Sequence, residues 1–112
     1  MDLGGFQISC RTPVGSCNGN GNGRGVSTDF DTTRGTSVKN GSIVGMGSEG
    51  VRVGPRSEVM TVRVRENGGD GIRTNEGATV QGNTVTDNGG YGLSVGARSA
   101  YRNNNSSHNG TR

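Results

Sequence analysis

The sequence is poor in the residues that build a large hydrophobic core. Of its 112 residues, Leu, Ile, Val and Phe together make up 19, Trp is absent, and aromatic residues amount to 4%. So low an apolar content is also compatible with disorder. The formal net charge of +3, with both signs interspersed, is however too small to keep a disordered chain expanded. The length predicts a single domain over residues 1–112.

Several partner classes are excluded by what is missing. No stretch approaches the roughly 18 apolar residues of a membrane span, and Met1–Gly5 lacks the charged and apolar regions of a signal peptide. The pI near 9.4 invites a nucleic-acid interpretation. The 12 Lys and Arg are scattered, however, and only two Tyr and two Phe are present for stacking on bases. We therefore expect neither a membrane nor a nucleic acid as partner.

The chain has only two cysteines, Cys10 and Cys17. In an oxidising compartment they could close a small disulfide loop, whereas in a reducing compartment they would be two free thiols. A zinc site would need two more strong ligands than the sequence obviously supplies.

What the sequence does contain is glycine, at 23 positions, and a strictly spaced 21-residue repeat. Asn67, Asn88 and Asn109 are spaced by this period, and each is followed by glycine. Apolar residues follow the same spacing in two columns: Val38, Val59, Val80 and Tyr101, and Ile43, Val64 and Val85, which Ser106 interrupts. Residues 38–112 align with themselves without an insertion or deletion.

This repeat predicts the fold. Apolar residues alternate over short stretches, as in Val51 and Val53, which predicts strands of three to five residues separated by Gly and Asn turns. A unit this short cannot bury its apolar side alone, so successive units must stack. We predict an all-β, single-stranded parallel β-helix of about four to five coils, with an irregular coil and loop over residues 1–37 and regular coils over 38–112. The Asn columns are expected to form side-chain ladders between coils.

Three segments carry a resemblance: "VKNGSIVGMGSEGVRVG", "VRENGGDGIRT" and "VQGNTVTDNGGYGLSVG". They resemble the repeats of the right-handed parallel β-helix proteins, the pectin-lyase-like family, many of which are secreted bacterial proteins. "MDLGGFQISC" resembles the strand that opens such domains. The resemblance implies a right-handed helix and an extracellular or periplasmic parent protein. It also implies a carbohydrate-active enzyme, a lyase or a hydrolase, or a piece of one.

One column offers a candidate catalytic group. Glu66, Asp87 and His108 follow one another at the period of the repeat, and Gly45 precedes them. If the coils stack, the Glu66 and Asp87 carboxylates could lie about 5 Å apart, the separation found in retaining glycoside hydrolases. The alternative is that all three are polar turn residues facing water.

A second column offers a candidate binding group. Arg52 and Arg73 are one period apart, with Asp31 before and Ser94 after them at the same spacing. Two such guanidinium groups could bind the carboxylates of a uronate polysaccharide bidentately, and family lyases are similar in using arginine in this way. The alternative is that these arginines are exposed strand residues whose charge discourages lateral aggregation.

Calcium is a weaker candidate. Gly68-Gly69-Asp70-Gly71 is similar to calcium-binding nonapeptides, but Arg73 occupies the position that should hold aspartate. We therefore expect no cofactor. The sequence favours a structural or binding module with polysaccharide as the candidate ligand and no complete catalytic set, and the alternative is a carbohydrate-active enzyme. Association of copies through uncapped helix ends or edges is a further expectation.

Overall fold

A computed structural model describes residues 1–9 and 23–110. These residues form only strands and turns, and no helix in them is long and apolar enough to cross a membrane. The strands in chain order are β1 (Gln7–Ser9), β2 (Val26–Ser27), β3 (Ser37–Val44), β4 (Val51–Val53), β5 (Glu58–Arg65), β6 (Ile72–Thr74), β7 (Thr79–Gln81), β8 (Thr84–Thr86), β9 (Leu93–Ser94), β10 (Ala100–Arg102) and β11 (Asn105–Ser107).

All strand pairs are parallel, and they form two sheets. The larger sheet joins β1, β3 and β5, and it continues with β7 and β8 on the next rung and β10 and β11 on the last. The smaller sheet has the order β2-β4-β6-β9. Val59 pairs with Val80, and Val51 pairs with Ile72, each exactly one period later in the sequence. The chain is therefore a parallel β-solenoid of about four turns, which confirms the predicted β-helix and its repeat.

The first rung departs from this spacing. Ile8 pairs with Ile43 and Val26 pairs with Val51, and both separations are longer than one period. Between β2 and β3 the additional residues lie outside the strands, which stay aligned with those of the next rung. One prediction was wrong for this reason: the residue before Arg52 in its column is Ser27 and not Asp31.

The core is narrow and made largely of valine. The two predicted apolar columns are fully buried as far as Val80 and Val85. Val51, Val53 and Ile72 enter from the smaller sheet and are equally inaccessible. On the last rung Tyr101 continues the first column, and it is 65% exposed because no described rung covers it.

Three corners turn each rung, and each corner has a residue in the left-handed backbone region. The corner residues lie five positions apart, for example Arg56, Thr61 and Glu66, with φ angles of 56°, 57° and 57°. Their equivalents on other rungs have the same conformation, so the corners form three columns: 35, 56, 77 and 98; 40, 61, 82 and 103; and 45, 66, 87 and 108. This conformation is costly for residues other than glycine and is tolerated best by Asn and Asp.

The residue after each corner points inward, and in two columns it forms an asparagine ladder. The Asn88 Oδ1 accepts hydrogen bonds from both the backbone N and the Nδ2 of Asn67, at 3.1 and 2.9 Å. Asn109 repeats this arrangement toward Asn88. The Nδ2 of Asn88 also donates to the Val64 carbonyl at 3.2 Å. Asn83 and Asn104 form a second ladder, which was not predicted.

Because the ladder asparagines bond one another, replacing one of them should lower the stability of the fold strongly. We expect Asn88→Ala to lower the free energy of unfolding by about 2 to 4 kcal/mol, because the buried amide groups of Asn67 lose their acceptor. Urea denaturation monitored by circular dichroism measures this change.

Asn105→Ala serves as the control, since Asn105 lies on β11 with an exposed side chain. Its effect should stay within about 0.5 kcal/mol. Equal losses for the two variants would contradict a structural role for the ladder.

Candidate functional site

The predicted catalytic column lies on a corner of the solenoid. Glu66, Asp87 and His108 all have φ angles of 56° or 57°, and Gly45 completes the column at 79°. Glu66 is half-buried and lies 3.6 Å from the Arg65 guanidinium, whereas Asp87 and His108 are exposed. Stacking therefore brings the three residues to one edge, as the sequence predicted. Their shared backbone conformation gives each a role in turning the chain, which favours the alternative of turn residues.

This geometry predicts an unusual response to glycine. Asp87→Gly should leave the free energy of unfolding unchanged or raise it by up to about 1 kcal/mol, because glycine adopts a positive φ without strain. Asp87→Val should lower it by about 1 to 2 kcal/mol, because a branched β-carbon is strained there. Thermal or urea unfolding of the two variants measures the difference.

Thr84 provides the matched control, because it is exposed on strand β8 and has extended backbone. There the order should invert, with Thr84→Val tolerated and Thr84→Gly destabilising. If glycine were as harmful at position 87 as at 84, the corner interpretation would be wrong.

The predicted binding column lies on the outer face of the smaller sheet. Arg52 and Arg73 are direct partners on β4 and β6, with Ser27 before them and Ser94 after them. The ring of Phe30 lies against both, with its centroid 4.6 Å from the Arg52 Cζ and 5.3 Å from the Arg73 Cζ. A cation over an aromatic face within about 6 Å is an attractive contact. Phe30 therefore holds the two guanidinium groups together.

The loop between β2 and β3 carries Phe30 to this place. Asp29 orders the loop by accepting hydrogen bonds from the backbone N of Asp31 and Thr32 at 3.0 and 3.2 Å. The Phe30 carbonyl accepts from the Asn75 Nδ2 at 2.7 Å, two rungs along the solenoid. Gly54 lies under the loop, where a β-carbon would collide with the Thr33 carbonyl. The additional residues between β2 and β3 thus cover part of the arginine face.

A buried carboxylate organises the same face. Glu49 is 8% exposed, and its Oε1 lies 3.0 Å from the Nε of Arg24 and 3.4 Å from the Nε of Arg52. Ser48 donates a further hydrogen bond to it. Arg24 was not predicted to belong to this site. Strand β2 pairs with β4 at a separation longer than the repeat, so the repeat spacing does not place Arg24 beside Glu49. Three guanidinium groups from three consecutive rungs are therefore grouped around one carboxylate and one aromatic ring.

Burial alone would raise the pKa of Glu49, but hydrogen bonds from Ser48 and Arg24 outweigh it and lower the pKa below the ordinary value of 4.5. A carboxylate with a lowered pKa stabilises the fold above its unfolded pKa, and this stabilisation is lost as the pH falls through the folded value. Glu49 therefore contributes to the acid sensitivity of the fold.

We expect Glu49→Gln to reduce stability at neutral pH and to flatten the loss of stability below about pH 4.5, since the titrating group is gone. Unfolding free energies measured across this pH range test the expectation. Glu76→Gln is the control, because Glu76 is exposed and its side chain is outside this cluster. If the two variants had the same pH dependence, Glu49 would not be the group responsible.

The other predicted sites are placed as follows. The Asp70 Oδ1 accepts a hydrogen bond from the backbone N of Tyr91 at 2.8 Å, so this carboxylate caps the turn of the next rung. In the described ranges, no three His, Cys, Asp or Glu residues are grouped as metal ligands. Cys10 and Cys17 lie outside the described residues, and their pairing stays a prediction.

Comparison with known proteins identified no relative of this chain. The chain matches no family model, and searches of curated proteins and of solved structures return no match.

Proposed function

We propose that this chain is a structural and binding module of the pectin-lyase-like β-helix type, and that the outer face of β4 and β6 contacts an acidic polysaccharide. The single observation that carries the proposal is the arrangement of Arg52 and Arg73 on neighbouring rungs beside Phe30. The extracellular or periplasmic location of the parent protein belongs to the same proposal.

Arg73 is the residue best suited to bind a ligand. It is exposed and forms no salt bridge with a described residue, whereas Arg24 and Arg52 share Glu49. Guanidinium groups recognise carboxylates bidentately, and the contact of Arg52 with Glu49 is made through Nε. Neighbouring strands are about 4.8 Å apart, so one extended chain of acidic sugars could contact both arginines.

The arrangement supports binding more than catalysis. The carboxylate that contacts Arg24 and Arg52, Glu49, is buried and also accepts a hydrogen bond from Ser48. The column of Glu66, Asp87 and His108 lies on a corner, whereas Arg52 and Arg73 lie within strands β4 and β6. The candidate acids and bases predicted from the sequence are therefore on a corner and not on the strands that carry the arginines. The enzyme alternative stays open to a direct assay.

The proposal predicts a selective loss of binding. In affinity electrophoresis through gels containing polygalacturonate, the wild type should be retarded, and Arg73→Ala should weaken binding about tenfold, which corresponds to about 1.4 kcal/mol. Arg73→Lys should be intermediate, because it keeps the charge but loses the planar fork.

Arg63→Ala is the matched control, because Arg63 is also an exposed strand residue but lies on β5 in the other sheet. Equal weakening by the two alanine variants would indicate only a general charge effect. Absence of retardation in the wild type would reject the proposal. Accumulation of cleaved product under the same conditions would instead identify an enzyme.

A further inference from the structure

Four Asn-Gly pairs lie within the described residues, at Asn40, Asn67, Asn88 and Asn109. Asn-Gly is chemically labile because the glycine nitrogen can attack the asparagine Cγ. The side-chain nitrogen leaves as ammonia and a cyclic succinimide forms. Water then opens this ring to aspartate or isoaspartate. The reaction needs a side-chain amide that can turn toward the glycine nitrogen, so the fold determines which pair reacts.

The three pairs of the ladder are held in an unreactive state. Gly68, Gly89 and Gly110 each donate their N–H to a carbonyl of the preceding rung, at 2.8, 2.8 and 2.7 Å. The side chains are held as well: Asn67 and Asn88 are only 3% and 2% exposed, and each donates Nδ2 to the next asparagine. Asn109 donates Nδ2 to the Val85 carbonyl and the Ser106 Oγ. Attack at these pairs therefore requires local opening of the solenoid.

Asn40 differs from the other three. It occupies a corner with a φ of 59°, its side chain is exposed, and its Nδ2 makes one hydrogen bond, of 3.3 Å, to the Asp2 Oδ1. This hydrogen bond is exposed to water and joins Asn40 to the first rung. Breaking it to rotate the amide therefore costs little free energy. Asn40 thus carries the same labile dipeptide without the hydrogen bonds that hold the ladder side chains.

We infer that Asn40–Gly41 is a site of spontaneous deamidation, and that the reaction releases the first rung from β3. Asn40 holds this rung twice, since its side chain bonds Asp2 and its carbonyl accepts from the Gly5 N at 2.6 Å. Deamidation replaces the donor amide with a carboxylate beside the Asp2 carboxylate, and like charges repel.

The isoaspartate product acts on the backbone as well. It inserts one methylene into the main chain before Gly41, at a point where Leu3 packs so closely that even a β-carbon on Gly41 would collide with it. The strand register of β3 with β5 is fixed on both sides of this position, at Lys39 with Met60 and Gly41 with Val62. The added length therefore has to be accommodated by displacing the first rung.

The test is to age the full chain in mildly alkaline buffer and map deamidation by peptide mass spectrometry. Asn40 should convert to aspartate and isoaspartate at least about tenfold faster than Asn67, Asn88 and Asn109, because those require opening of the fold. In denaturant all four should convert at similar rates. Conversion of a ladder residue as fast as Asn40 in the folded protein, or retention of the Asn40 amide under native conditions while the denatured chain reacts, would overturn the inference.

Hydrogen exchange of the Leu3 and Gly5 amides, which donate to Lys39 and Asn40, reports release of the first rung. Their exchange should accelerate as Asn40 converts, and Asn40→Asp should reproduce part of the change without aging. Asn40→Gly keeps the positive φ and removes the reactive amide, so its exchange should not change on aging. Aging that released the first rung of Asn40→Gly as fast as that of the wild type would show that Asn40 is not the cause.

Discussion

Every rung of a parallel solenoid must return its strands to the same place, because its hydrogen bonds and side-chain stacks are all made with the rungs on either side. In this protein the return follows the 21-residue period of the sequence. Three left-handed corners, such as Arg56, Thr61 and Glu66, turn the chain, and the residues that follow the corners in two of the three columns form the asparagine ladders. These corners supply the rigidity that a thin valine core could not provide alone.

The same constraint decides which residues are available for function. Corner residues such as Asp87 and inward residues such as Asn88 are committed to turning the chain or joining its rungs. Outward strand residues such as Arg73 have no such role, and their side chains can therefore vary without altering the strand register. The additional residues between β2 and β3 lie outside the strands for the same reason, and they carry Phe30 onto the arginine face. The candidate binding surface therefore depends on additional residues between β2 and β3, which lie outside the strands and leave their register unchanged.

The repeat made most of the fold predictable. Strict spacing of Val59 with Val80 and of Asn67 with Asn88 indicated the parallel register and one ladder from the sequence alone. The first rung was not predictable in the same way. Its strands pair with the next rung at separations longer than the repeat, so the repeat spacing does not identify the residues that stack on Glu49 and Arg52. Two of the three corners were also missed, since Arg56 and Thr61 share a backbone angle and no side-chain chemistry. Asn83 and Asn104, spaced by one period, were the available signal for the second ladder.

The central claim is that the regular return of the chain after one period, and not the composition of the repeat, specifies the fold. Duplicating residues 72–92 in place tests it most directly, by comparison with a duplication that carries one additional glycine in strand β6. The faithful duplication should add one rung, keep a single cooperative transition and raise the free energy of unfolding, because an added unit contributes its own interface. The longer duplication should lose stability, since a one-residue slip reverses the inward and outward side chains. Equal stability of the two would contradict the account.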